Sequence, residues 1–127
     1  MINILIADDE PGFREMLIYI LQPMAFEIEE VENGLQAFQK IQEKAYSLLL
    51  MDVHMPVLTG PEALEKIRAV RPEQKVIIFS SNSDSSLSEA AIKKHDVIAL
   101  LHKPVELAEI EKALEKALGK LPGRFAA

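Results

Sequence analysis

The chain has 127 residues, 49 % of them apolar and 27 % charged, which suits one domain with a substantial core. Lysine and arginine number 14 against 20 aspartates and glutamates, so the net charge is −6, which disfavours direct nucleic-acid or anionic-membrane binding by this chain. No cysteine is present, which excludes disulfide scaffolds, zinc–thiolate sites and thiol nucleophiles. The opening residues carry no secretory pattern and no apolar run approaches the ~18–20 residues of a membrane span, so a cytoplasmic location is expected.

Residues 2–7, INILIA, form a short run that is apolar except for Asn3, as in a strand buried on both faces. Phe13, Met16, Leu17, Ile20 and Leu21 then recur at helical spacing, with Pro11 near the start and Pro23 limiting the far end. The more polar FEIEEVE of 26–32 reads as an edge strand. Asn33 can cap a helix that turns Ala37, Phe38 and Ile41 inward. SLLLMD, 47–52, predicts a third strand. After the loop VHMPVLTG comes a helix with Pro61 in its first turn and Leu64, Ile67 and Val70 facing the core. KVIIFS, 75–80, predicts a fourth strand. The serine-rich segment 81–94 predicts a weak helix, because its serines compete for backbone hydrogen bonds. VIALLH, 97–102, predicts a fifth strand. A long helix follows, with Leu107, Ile110, Leu114, Ala117 and Leu118 as its stripe. Five β–α units in series argue for an α/β fold, a doubly wound parallel sheet covered by helices on both faces. Residues 1–119 are expected to form the domain and 120–127 a tail or the start of a linker.

In such a sheet, function gathers outside the carboxyl ends of the strands. Strand 1 ends in Asp8, Asp9 and Glu10, strand 3 in Asp52, strand 4 in Ser80 and Ser81, and strand 5 in His102 and Lys103. In the flavodoxin-like order 2-1-3-4-5, these ends share one cleft. Two carboxylates 4 Å apart repel by roughly 4 kcal/mol at an effective dielectric of 20. A single lysine does not offset three of them; a divalent cation together with Lys103 does, and sparse hard oxygen ligands suit Mg²⁺. Mg²⁺, a lysine and a hydroxyl around one carboxylate suit phosphoryl transfer, with Asp52, central in the sheet, as the nucleophile.

The motifs ADDE at 7–10, MDVHMP from 51 with Gly60 beyond it, IIFSS at 77–81 and HKP at 102–104 stand in this order, each at a strand end. Together they resemble the response-regulator receiver domain of two-component signalling, across residues 2 to about 118. The resemblance implies a flavodoxin-like (βα)5 fold with Asp52 as phosphoacceptor. It implies Asp9 as a direct Mg²⁺ ligand, with Asp8 acting mostly through water and the His54 backbone carbonyl as a further ligand. Ser80 matches the switch hydroxyl, Lys103 the lysine that pairs with the phosphoryl group, and Lys103–Pro104 a cis peptide.

The implied partners are a histidine kinase or histidine phosphotransfer domain upstream and an effector protein or domain downstream. The chain is expected to be a monomer or weak homodimer, and a self-phosphorylating, slowly self-dephosphorylating switch instead of a turnover enzyme. Two departures stand out. Leu100 occupies a position where the family often has Tyr or Phe, and His95-Asp96-Val97 replaces a common Ala-Gly-Ala. Three other readings compete. An Mg²⁺-dependent phosphohydrolase usually carries an acid two residues after its nucleophile, where this chain has His54. A flavodoxin-like cofactor binder is opposed by the acidic DDEPG loop, and a degenerate receiver by the complete set Asp8, Asp9, Asp52, Ser80 and Lys103.

Overall fold

Apolar runs and helical stripes alternate along the chain, and the computed structural model, which describes residues 2–81 and 95–121, turns that alternation into layers. In chain order the elements are β1 (Asn3–Ala7), α1 (Pro11–Leu21), a 3₁₀ turn (Gln22–Met24), β2 (Glu27–Val31), α2 (Gly34–Glu43), β3 (Leu48–Asp52), α3 (Gly60–Val70), β4 (Val76–Ser81), β5 (Ala99–Lys103) and α4 (Leu107–Leu118). All strand pairs are parallel, and the sheet order is β2-β1-β3-β4-β5. The helix expected over 81–94 lies outside the described residues, apart from Ser81, which ends β4.

The strands sort as their sequences require. Every residue of β3 is buried, as are the last four of β1 and the first five of β4, so these three form the middle of the sheet. The polar β2 lies at one edge and the half-buried β5 at the other. On one face, α1 and α4 pack Leu17, Leu21, Ile110 and Leu114 against Ile4, Ile6, Leu50 and Phe79; Leu121, just beyond α4, is buried in the same layer. On the other, α2 and α3 pack Ala37, Ile41, Leu64 and Ile67 against Leu5, Leu49, Met51 and Ile78. Burying one such aliphatic side chain contributes roughly 1.5–3 kcal/mol.

Helix starts follow local chemistry. The Asn33 side chain accepts the Gln36 N–H at 2.8 Å and caps α2. Thr59 and Glu62 cap α3 reciprocally, each side chain accepting the other's backbone N–H. Two stripe residues depart from expectation: Val70 is 44 % and Leu107 41 % exposed. They are the last residue of α3 and the first of α4, terminal turns that find no covering layer among the described residues. In the loop before β5, Asp96 adopts φ 54°, a left-handed conformation that aspartate tolerates better than most residues.

Candidate functional site

β1 and β3 are neighbours, and the chain winds away from them in opposite directions, to β2 on one side and to β4 and β5 on the other. The crevice at their carboxyl ends is therefore the topological switch point of the sheet. Asp8 follows β1 and Asp52 ends β3, and both are buried, at 1 % and 5 % exposure; Asp9 is exposed. One carboxylate oxygen from each of the three lies within 4.8 Å of the other two.

Local structure holds each carboxylate in place. Asp8 Oδ1 accepts the Glu10 N–H at 2.8 Å, and its carbonyl accepts Arg14 Nη1 at 2.6 Å, so the first turn of α1 is tied back to the end of β1. Asp52 is clamped through its backbone. The Gly60 N–H donates to the Val53 carbonyl at 2.8 Å, and a Cβ on Gly60 would stand 2.9 Å from both the Asp52 carbonyl and Val53 Cα. The start of α3 thus approaches the end of β3 more closely than any side chain permits. His54 lies in the intervening turn and is half-buried.

Lys103 reaches into this group from the end of β5. Its Nζ donates to Asp8 Oδ2 at 2.9 Å and Glu10 Oε1 at 2.8 Å, and stands 3.5 Å from Asp52 Oδ1. The ammonium also lies 4.1 Å from the centroid of the Phe13 ring, which packs edge-on against Phe79. Such a cation–π contact adds about 0.5–2 kcal/mol to its placement. Lys103–Pro104 is a cis peptide. Ser80, fully buried, is in register with His102 on β5, and its Oγ is 3.1 Å from His102 Nδ1.

The electrostatics follow from burial and crowding. Burial, aided by the negative charge of Asp8, pushes Asp52 up to about 6, and Lys103 only partly opposes this. Burial also raises Asp8, against the Glu10 N–H and the lysine. For Lys103, burial acts downward, but hydrogen bonds to Glu10 and Asp8 and the nearby carboxylate charges outweigh it and hold the ammonium above its ordinary range. One lysine among Asp8, Asp9, Glu10 and Asp52 leaves an excess of negative charge in a partly dry site. Two buried carboxylates, one exposed carboxylate and no soft ligand make a donor set that fits Mg²⁺.

The strand-end residues Asp8, Asp9, Asp52 and Lys103 thus come together as the sequence implies, and Ser80 lies at the neighbouring strand end. Glu10, Phe13 and His102 escaped the sequence argument as functional residues. Glu10 was visible as a strand-end acid. Nothing in the helical stripe distinguished Phe13 from its apolar companions, and the contact of His102 depends on the pairing of β4 with β5. Leu100, at the position where receiver domains often have Tyr or Phe, packs half-buried against the layer formed by α2 and α3.

The family model described as the response regulator receiver domain matches residues 4–115. The chemotaxis protein CheY of Listeria monocytogenes is 38 % identical over 120 residues, covering 92 % of this chain and 98 % of its own. The response regulator receiver protein CpdR of Brucella abortus is 28 % identical over 118 residues, covering 93 % of this chain and 98 % of its own. Among solved structures, the receiver domain of a sensor histidine kinase from Pseudomonas aeruginosa PAO1, with a magnesium ion coordinated in its active-site cleft, superposes with a TM-score of 0.80 at 25 % identity, over 93 % of this chain and 98 % of that one. Among the described residues no helix is long and apolar enough to cross a membrane.

Proposed function

The chain belongs to the response regulator receiver domain family of two-component signalling, and from that premise we propose that it is a phosphorylation-driven switch whose acceptor is Asp52. The observation that carries this reading is a buried carboxylate at the switch point of the sheet, with the Lys103 ammonium 3.5 Å away and Asp8 and Asp9 beside it. The donor is a phosphohistidine of a histidine kinase or phosphotransfer domain. An Asp52 carboxylate oxygen attacks phosphorus. The P–N bond breaks, its electron pair returns to the donor imidazole, and an acyl phosphate remains on Asp52. In the metal-free site burial holds Asp52 up at about 6, so the carboxylate is already mostly ionised at neutral pH before any cation binds.

Lys103, held by Asp8 and Glu10 and resting on Phe13, is poised to pair with a phosphoryl oxygen by a charge-assisted hydrogen bond. Ser80 offers a hydroxyl to another phosphoryl oxygen. Asp9, Asp52 and the His54 carbonyl, with Asp8 acting mostly through water, would hold Mg²⁺, which would supply positive charge to offset these carboxylates and the incoming phosphoryl oxygens. New contacts to Ser80 and Lys103 bias a two-state equilibrium that a downstream effector reads. The switch unit is placed in residues 1–119, and Leu121, just beyond that bound, still packs in the layer formed by α1 and α4.

Incubation with Mg²⁺ and a small acyl phosphate tests the reading. Intact mass should show one labile phosphoryl group, absent from Asp52→Asn. No adduct, or one that survives the substitution, sinks the proposal. Rapid steady hydrolysis of a phosphate ester would favour a phosphohydrolase instead.

A further inference from the structure

A buried hydroxyl needs a partner. That of Ser80, sealed completely from solvent, meets the imidazole of His102 at 3.1 Å. Ser80 and His102 are paired across β4 and β5 and so leave the sheet on the same face, the one that also holds Ile78 and Leu100. Asp52 is paired with Phe79, one residue earlier, and lies on the opposite face with Leu50 and Phe79. The hydroxyl held by His102 therefore points away from the acceptor carboxylate.

We propose that His102 is a positioning residue, a latch that holds the Ser80 hydroxyl off the site, so that a phosphoryl group on Asp52 must compete with the imidazole for it. This rests on the reading of Ser80 as the group that senses the phosphoryl. The competition does not depend on the histidine tautomer. A serine hydroxyl carries one proton. If Oγ donates to Nδ1, donation to a phosphoryl oxygen breaks that bond. If Nδ1–H donates to Oγ, the oxygen must still leave the His102 side of the sheet. Leu100, two residues earlier on the same face, has no group that can hold a hydroxyl. The imidazole thus links the Ser80 position to β5, an edge strand whose residues are all half-buried, where release of the ring changes what a partner meets.

The test uses the full chain with Mg²⁺ and beryllium fluoride, a phosphoryl mimic. Losing one hydrogen bond that favours the resting state should let His102→Leu bind the mimic about 2- to 10-fold more tightly than wild type. His102→Asn, which keeps a hydrogen-bonding group near the Nδ1 position, should stay close to wild type. In a Ser80→Ala background the effect of His102→Leu should vanish, which a merely structural role would not produce. In the wild type, the ring ¹⁵N signals of His102 should move on saturation, an observation that needs no variant to fold. Unchanged affinity in His102→Leu, an equal effect without the serine, or static ring signals overturn the latch. Absence of binding by wild type removes the phosphoacceptor reading of Asp52 and the latch together, whereas binding indifferent to His102 removes the latch alone.

Discussion

Replacing the acceptor carboxylate should make the metal-free protein more stable. Asp52 is 5 % exposed and crowded by Asp8, and its pKa stands near 6 against an ordinary 3.8. Roughly two units at 1.36 kcal/mol each put the cost of its charge at about 3 kcal/mol near pH 7.5. That cost is already net of the attraction to Lys103; Asp52→Asn removes it but leaves a buried amide with its own desolvation cost, so a net gain of about 1–3 kcal/mol is expected. In a domain of this size that raises Tm by roughly 5–10 °C. The pH dependence has a definite sign. The folded protein holds the Asp52 proton up to about pH 6, while the unfolded chain releases it near 3.8. Between these values the folded state binds more protons, so wild-type stability falls as pH rises through the window. The raised Asp8 acts in the same direction. Thermal unfolding in EDTA should therefore show the advantage of Asp52→Asn in full above pH 6 and shrinking towards pH 4. Added Mg²⁺ should narrow it at pH 7.5 by stabilising the wild type preferentially. No gain at pH 7.5 in EDTA, or a gain undiminished at pH 4, would refute the claim that Asp52 is a costly buried charge.

Gly60→Ala should destabilise by about 1–3 kcal/mol in urea unfolding and slow phosphorylation, because its Cβ would press on the Asp52 carbonyl and Val53 Cα at 2.9 Å. Val57 holds φ 69° while 68 % exposed, so Val57→Asn should relieve backbone strain without loss of packing and stabilise by about 1 kcal/mol, seen as a higher Tm. Lys103→Gln should lower the initial rate of labelling by acyl phosphate about 100-fold, through loss of the ammonium that faces Asp52 and the phosphoryl oxygens. A rate within a factor of three of wild type would contradict the role given to the lysine.

The middle of the sheet was readable because β1, β3 and β4 carry unbroken apolar runs, and the edges because β2 is polar. The carboxylate cluster was readable for a geometric reason: parallel strands bring all their carboxyl ends to one side, so residues far apart in sequence share a crevice once strand order is known. Strand order places residues to the nearest strand end and no finer. It could not tell that Lys103 would rest on Phe13, since this depends on how α1 rolls against β4 and β5, nor that the partner of Ser80 is His102, since this depends on register between two strands. Periodicity likewise put Val70 and Leu107 on inward stripes, but a stripe does not say where the layer beneath it ends, and both are exposed.

The proposed switch turns on one covalent bond, between phosphorus and a carboxylate oxygen of Asp52. Brief exposure to an acyl phosphate with Mg²⁺, reduction with borohydride and peptide mass mapping would locate it directly, because reduction converts an aspartyl phosphate to homoserine. Homoserine at position 52, dependent on Mg²⁺ and absent without the phosphodonor, is the predicted result. Homoserine at position 8 or 9, or an adduct that borohydride does not reduce, would contradict it.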